Sequence, residues 1–340
     1  RRGVDLMHLE NNVFVPRKGE PVVTLAMDSA GHAEKSWIGD VRVLKKGASY
    51  GELVRRVVSD LGWKGARVGL GDHVWGSTWL EVARAVKGAG FQSAEAFMDH
   101  LRMIKDPGEI EILRRAAMLT DEVMERVVSD LEGGVTQGEL GLYIEMMGRK
   151  SSASDISFPP TGGFVKTGSK VSDQPFIYPA DEGLSAGTSI AFDVGFVVDG
   201  YCSDWGRSVY YGPAGDDVKN GYEALQRAVV ETVDLLHEGS MRVCDVFRSI
   251  EGVLDREGYG DYLRARLPDG RVGHQIGIEV HEPPWLKPGN EHLLQAGMVM
   301  CLEPKLWRAG EYYLRVEDMV LIHKDRAEFL TNFNREFFQL

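Results

Sequence analysis

The sequence is poor in cysteine. Only Cys202, Cys244 and Cys301 occur in 340 residues, an odd number without CxxC spacing. That argues against a disulfide framework and against a thiolate zinc site, and favours a reducing, cytoplasmic setting. Long apolar runs are also missing: none approaches the roughly 20 residues needed to span a bilayer, and the start "RRGVDLMHLE" has no signal-peptide apolar core. Basic residues are in the minority, 39 Lys and Arg against 51 Asp and Glu, for a net charge of −12. With no basic face dense enough to neutralise phosphates, nucleic acid and anionic membrane are excluded as expected partners. A small molecule or a peptide is the expected substrate.

What is present divides in two. With 43% hydrophobic residues the chain can bury two cores. The first hundred residues alternate strand-like and helix-like runs: "PVVTLAM", "YGELVRRVVSDLGW", "ARVGLG" and "STWLEVARAVKGAG". This pattern predicts a small α/β domain over 1–104. From "MIKDPGEIEILRRAAMLTDEVMERVV" onward, Pro107 at a first helical turn opens a helix running towards Gly133-Gly134. A second helix, a loop-rich region over 151–188 and two more helices (216–238 and 243–258) follow. Strand-like segments close the chain around 274–282, 297–304 and 312–323. Helices in a run with antiparallel strands predict an α+β domain over 105–340, not a doubly wound parallel sheet.

The chemistry concentrates in the second half. In "DVGFVVDGYCSDWGRS" the apolar run 196–198 reads as a strand and Asp199-Gly200 as a two-residue turn, which carries Asp193 and Asp204 onto neighbouring strands. Later apolar segments are each interrupted by ionisable groups: His274 and His281, then Glu303, then Arg315, Glu317 and Asp318. A carboxylate in an apolar strand is costly unless paired, hydrogen-bonded or metal-bound. One such residue reads most simply as a salt bridge. Together, Asp193, Asp204, His274, Glu303 and Glu317 form the mixed oxygen and imidazole set expected for Mn²⁺, Co²⁺, Fe²⁺ or Zn²⁺.

These motifs resemble those of the pita-bread metallopeptidases, which include methionine aminopeptidase, Xaa-Pro aminopeptidase and prolidase and share their fold with creatinase. The resemblance rests on "FDVGFVVDGYCSDWGRS", "GHQIGIEVHE", "CLEP" and "LRVED" in this order, and covers about 105–323. It implies a pita-bread catalytic domain behind a smaller creatinase-type α/β domain, and two divalent ions. Asp193 would chelate one ion, Asp204 and Glu317 would bridge both, and His274 with Glu303 would complete the other. A water between them would be activated as a hydroxide nucleophile. Glu303 matches the general base, His281 a histidine that stabilises the tetrahedral intermediate, and Arg315 an arginine that organises the site. Arg315 pairing with Asp318 or Glu317 is the simpler alternative. The resemblance also implies a homodimer, for which Trp63, Trp75 and Trp79 are candidate edge residues.

The pattern departs in one place. Prolidase-like enzymes carry a proline-histidine pair upstream of the first aspartate, and here that pair is Pro175-Phe176. Phenylalanine cannot donate a hydrogen bond to a scissile carbonyl, so either Tyr178 or Asp173 stands in or the substrate is not an ordinary Xaa-Pro peptide. The expectations are therefore an Xaa-Pro dipeptidase or aminopeptidase, a same-fold enzyme acting on a non-peptide amide or as a lyase, and last a non-catalytic binding module. The start "RRGVDLM" runs directly into "HLENNVFVP", shorter than a creatinase-type domain would have, so missing residues are expected there. Three decoys fail. "GGFVKTGSK" lacks the P-loop Lys-Ser/Thr order, "HEPPW" lacks the second histidine and the helix of a zincin, and a glycosidase pair of Asp193 and Asp204 leaves His274 and the glutamates unexplained.

Overall fold

The computed structural model describes residues 10–71, 73–169 and 183–340. Pro175, Phe176, Tyr178 and Asp173 lie outside the described residues. The chain divides into two compact units, Arg1–Leu101 and Arg102–Leu340.

The first unit is α/β. Strand Val22–Leu25 pairs antiparallel with Asn12–Phe14 and parallel with Asp40–Val43, and a separate parallel pair joins Arg67–Leu70 to Gly90–Ser93. Helix Tyr50–Asp60 turns Leu53, Val54, Val57 and Val58 inward at the 3–4 spacing of one helical face. They close a core with Phe14, Val22, Val68, Val82 and Val86.

The second unit is α+β. Helix Pro107–Ser129 opens with a capping box in which Asp106 and Glu109 satisfy each other's backbone N–H groups, and Thr136 and Glu139 do the same for helix Gln137–Lys150. Helices Asp216–Val233 and Val243–Arg256 bury apolar faces in the largest core cluster. One four-stranded sheet has the spatial order Phe338–Gln339, Ser208–Tyr211, Thr188–Asp193, Thr161–Lys166; the other runs Gly273–Gln275, Val299–Leu302, Asp318–Ile322, Ala327–Phe329. Lys305–Arg308 and Tyr312–Arg315 form a two-stranded ribbon.

Three expectations need correction. The region expected to be loop-rich contains strands Asp155–Ile156 and Thr161–Lys166. At Gly162 a Cβ would press on Leu140, Ile190 and Phe192. Glycine there lets helix and sheet approach closely. The segment expected as a strand over 274–282 ends at Gln275, so His281 sits on a bent loop. Finally, the turn at Asp199-Gly200 does join Phe196–Val198 to Tyr201–Cys202, with both turn residues at positive φ (47° and 86°). Asp193, however, ends the preceding strand, and Asp204 lies in the irregular stretch before Ser208–Tyr211.

Arg207 and Asp318, both fully buried, tie the two sheets together. The guanidinium donates to Asp318 Oδ1 at 2.6 Å and to the carbonyls of Gly206 and Glu317 at 2.7 and 2.5 Å. Asp318 also accepts from Thr331 at 2.6 Å. Removing one partner leaves an uncompensated charge in the core, so Asp318→Ala is predicted to cost roughly 3–5 kcal/mol of unfolding free energy. Denaturant titration checks this; a loss below about 1 kcal/mol would show that the pair does not hold the sheets.

Candidate metal centre

Most of the residues singled out in the sequence converge at strand ends and breaks, while His274 is the middle residue of strand Gly273–Gln275. Asp193 is the last residue of its strand, Glu303 follows Val299–Leu302, and Glu317 lies between Tyr312–Arg315 and Asp318–Ile322. There the backbone is free to turn side chains inward without breaking a ladder. Gly206 bridges to Glu317 across this gap, and a Cβ at 206 would collide with the Arg315 and Glu317 side chains. Glycine is the residue that permits this approach.

His274 is the hub. Its Nε2 lies 3.4 Å from Asp204 Oδ2, 3.8 Å from Glu303 Oε1 and 3.9 Å from Glu317 Oε1. Its Nδ1 is 3.1 Å from the Gln275 carbonyl oxygen. A proton on Nδ1 donated to that carbonyl leaves Nε2 with its lone pair free, the tautomer a metal ligand needs. Asp204, His274 and Glu317 are buried, at 3%, 1% and 1% exposure. Asp204 Oδ1, His274 Nε2 and Glu317 Oε1 have no hydrogen-bond partner among the described residues. Buried polar atoms are nearly always satisfied; three residues that each carry an orphan and each offer a ligand atom to one group within 4.8 Å are the fit that a divalent cation would complete.

Cys301 was not foreseen. Its sulfur lies with Asp204, His274 and Glu317 in a group whose ligand atoms are all within 4.8 Å of one another. It pairs with His274 across adjacent strands, and its two-residue spacing from Glu303 was the available signal. Burial, then the surrounding Asp204, Glu317 and Glu303, push the thiol well above its usual range. Without a cation beside it, Cys301 stands as a neutral thiol in the wall of the cluster.

Arg315 departs from the pairing with Asp318, which is taken by Arg207. It reaches into the cluster instead, making a close ion pair with Asp193 and lying 3.4 Å from Glu317 and 3.9 Å from Glu303. A second cation, Lys305, contacts Glu303. A lysine beside a strand end ordinarily marks a solvated edge and carries no signal of this contact in the sequence. Burial, then Asp193 and Glu303, push Asp204 well up, and burial with Asp204 does the same for Glu317. Burial also works against a charged Glu303, but Lys305 and Arg315 outweigh it and bring that carboxyl down to about 2.

His281 meets the hub edge-on, with ring centroids 4.5 Å apart, and Trp285 stands 5.4 Å from His281 and 5.8 Å from His274. Arg271 stacks on Trp285 at 3.9 Å. Among the described residues, a cleft of about 570 Å³ reaches Asp193 and Arg315 past Gly162, Gly163, Ala191 and Tyr313.

A model of metallopeptidase family M24 matches residues 111–324. "Putative dipeptidase YkvY" of Bacillus subtilis (strain 168) is 34% identical over 256 residues, 75% of this chain and 68% of that protein. A prolidase structure from Thermococcus sibiricus aligns with a TM-score of 0.86 at 27% identity, covering 99% of this chain and 89% of its own. A dipeptidase structure from Pyrococcus horikoshii OT3 gives 0.87 at 25% identity, covering 99% and 92%.

Desolvation, then the neighbouring His274, pulls the His281 pKa down to about 4. An ordinary imidazole titrates near 6.5. In metal-free protein, histidine NMR is therefore predicted to find His281 neutral at pH 5.5, with its midpoint near 4; a midpoint above 6 would contradict the packing described.

Proposed function

The chain belongs to metallopeptidase family M24, and on that footing we propose that it hydrolyses a peptide or amide bond of a short substrate with divalent metal, in the manner of an Xaa-Pro dipeptidase or aminopeptidase. Its fold is the pita-bread α+β fold of that family, preceded by a smaller α/β domain. The observation that carries the reading is the trio of buried, unpartnered donor atoms on Asp204, His274 and Glu317.

Asp204, His274 and Glu317 would hold a divalent ion, with Asp193 and Glu303 extending the donor set towards the second ion that the resemblance implies. Bound there, the metal supplies Lewis acidity and a water of lowered pKa. Glu303 takes the proton of the attacking water and returns it to the leaving nitrogen. His281, held neutral by its surroundings, donates its N–H to the oxygen on which negative charge develops. Arg315 fixes Asp193, Glu303 and Glu317 relative to one another. The cleft beside Asp193 has a volume suited to a short peptide.

A second reading, hydrolysis of a non-peptide amide or a lyase reaction on the same fold, is favoured by one specific feature. Phe176 stands where the prolidase-like pattern has histidine. The reading also takes the working unit to be a cytoplasmic homodimer. All three cysteines are free, and among the described residues no helix is long and apolar enough to cross a membrane. Trp75 and Trp79 are 48% and 38% exposed and suit a subunit edge. Trp63 is better explained by its packing on Phe14, at 6.2 Å, in the core of its own unit.

The test is an assay of chelator-stripped protein on Xaa-Pro dipeptides, longer Xaa-Pro peptides and non-peptide amides, with Mn²⁺, Co²⁺, Fe²⁺ or Zn²⁺ restored singly. Proline-dependent cleavage is expected to return with metal, and Glu303→Gln to lower kcat about 10²–10⁴-fold with KM little changed. Metal-independent turnover would overturn the reading, and cleavage confined to non-peptide amides would replace it with the second.

A further inference from the structure

The donor atoms of the cluster fall into two groups. Asp204 Oδ1, His274 Nε2 and Glu317 Oε1 are buried and unpartnered among the described residues. The other carboxylate groups already hold cations: Asp193 pairs with Arg315, which also lies 3.4 Å from the second oxygen of Glu317, and Glu303 pairs with Lys305. Lys305 reaches Glu303 from a largely covered position, its side chain 19% exposed. It also stands directly opposite Arg315 across the antiparallel ribbon. Like charges placed opposite one another on paired strands repel. Two cations therefore face each other here because the carboxylates around them require both.

From this we infer that Lys305 is a built-in cation of the site, taking the place of one metal ion, so that the chain holds a single divalent ion tightly, on Asp204, His274 and Glu317. Formal charge agrees. Asp193, Asp204, Glu303 and Glu317 bring four negative charges, and Arg315 returns one positive charge. The remainder of three matches two divalent ions sharing one hydroxide. Lys305 lowers the remainder to two, which is the charge of one divalent ion with a neutral water. A second ion drawn to Glu303 would have to enter beside an ammonium group at ion-pair distance, where repulsion through a poorly solvated site is strong. The inference rests on the metal-dependent reading and departs from the two-ion centre that the resemblance implies.

The experiment is calorimetric titration of chelator-stripped full chain with Mn²⁺, with elemental analysis of the dialysed product and manganese EPR as a second readout. Wild-type protein is expected to take up one ion per chain and to give the spectrum of isolated Mn²⁺. Lys305→Met, which keeps most of the side-chain volume and removes the charge, is expected to strengthen a second site by about 100-fold or more and to give the spectrum of a spin-coupled pair. Lys305→Arg, which keeps the charge, is expected to remain at one. Two tightly bound ions in wild type would overturn the inference while leaving the metal-dependent reading intact. No bound ion would overturn both. A folded Lys305→Met variant that still takes one ion would show that Lys305 is not what limits the count.

Discussion

Four carboxylates and an imidazole share one small, mostly buried space, and their mutual repulsion is the constraint on which the rest of this domain depends. Left alone, such a cluster protonates or pushes itself apart. Burial and neighbouring carboxylates raise Asp204 and Glu317 well above their ordinary range. Glu303, beside Lys305 and Arg315, moves the other way, to about 2. Among the described residues Asp204 thus has no Lys or Arg at ion-pair distance, while Asp193 and Glu317 share Arg315 and Glu303 holds Lys305. The difference is set by which side chains the strands bring alongside.

The surrounding fold serves that arrangement. Strand ends, not strand interiors, deliver Asp193, Glu303 and Glu317, and Gly206 lets the Arg315–Glu317 stretch come close. Beneath it, the buried Arg207–Asp318 pair binds the carbonyls of Gly206 and Glu317 and fixes the height of the floor. The hub imidazole is oriented by its own backbone through the Gln275 carbonyl.

Much of this was legible in the sequence, for identifiable reasons. Helices with capping residues and regular apolar spacing announce their start, as Asp106 and Pro107 do for Pro107–Ser129. The ionisable residues of the site are conspicuous because they interrupt apolar runs. Other features leave no local signal. Gly162 lies in the stretch expected to be loop-rich and acts as a packing surface. The strand expected through His281 stops at Gln275, since its pairing partner Val299–Leu302 covers only three of its residues. Arg315 could not be assigned between organising the site and pairing with Asp318 or Glu317, because the choice depends on Arg207, more than a hundred residues earlier, already holding Asp318. Lys305 and Cys301 are ordinary residues whose meaning comes only from what faces them.

The central claim is that the unpartnered atoms of Asp204, His274 and Glu317 converge on a cation. The most direct measurement is anomalous diffraction at the manganese edge from crystals of the full chain grown with Mn²⁺. The account predicts a peak about 2.0–2.2 Å from His274 Nε2 and from an oxygen of both Asp204 and Glu317. Strong manganese peaks elsewhere, with none between these three residues, would contradict it.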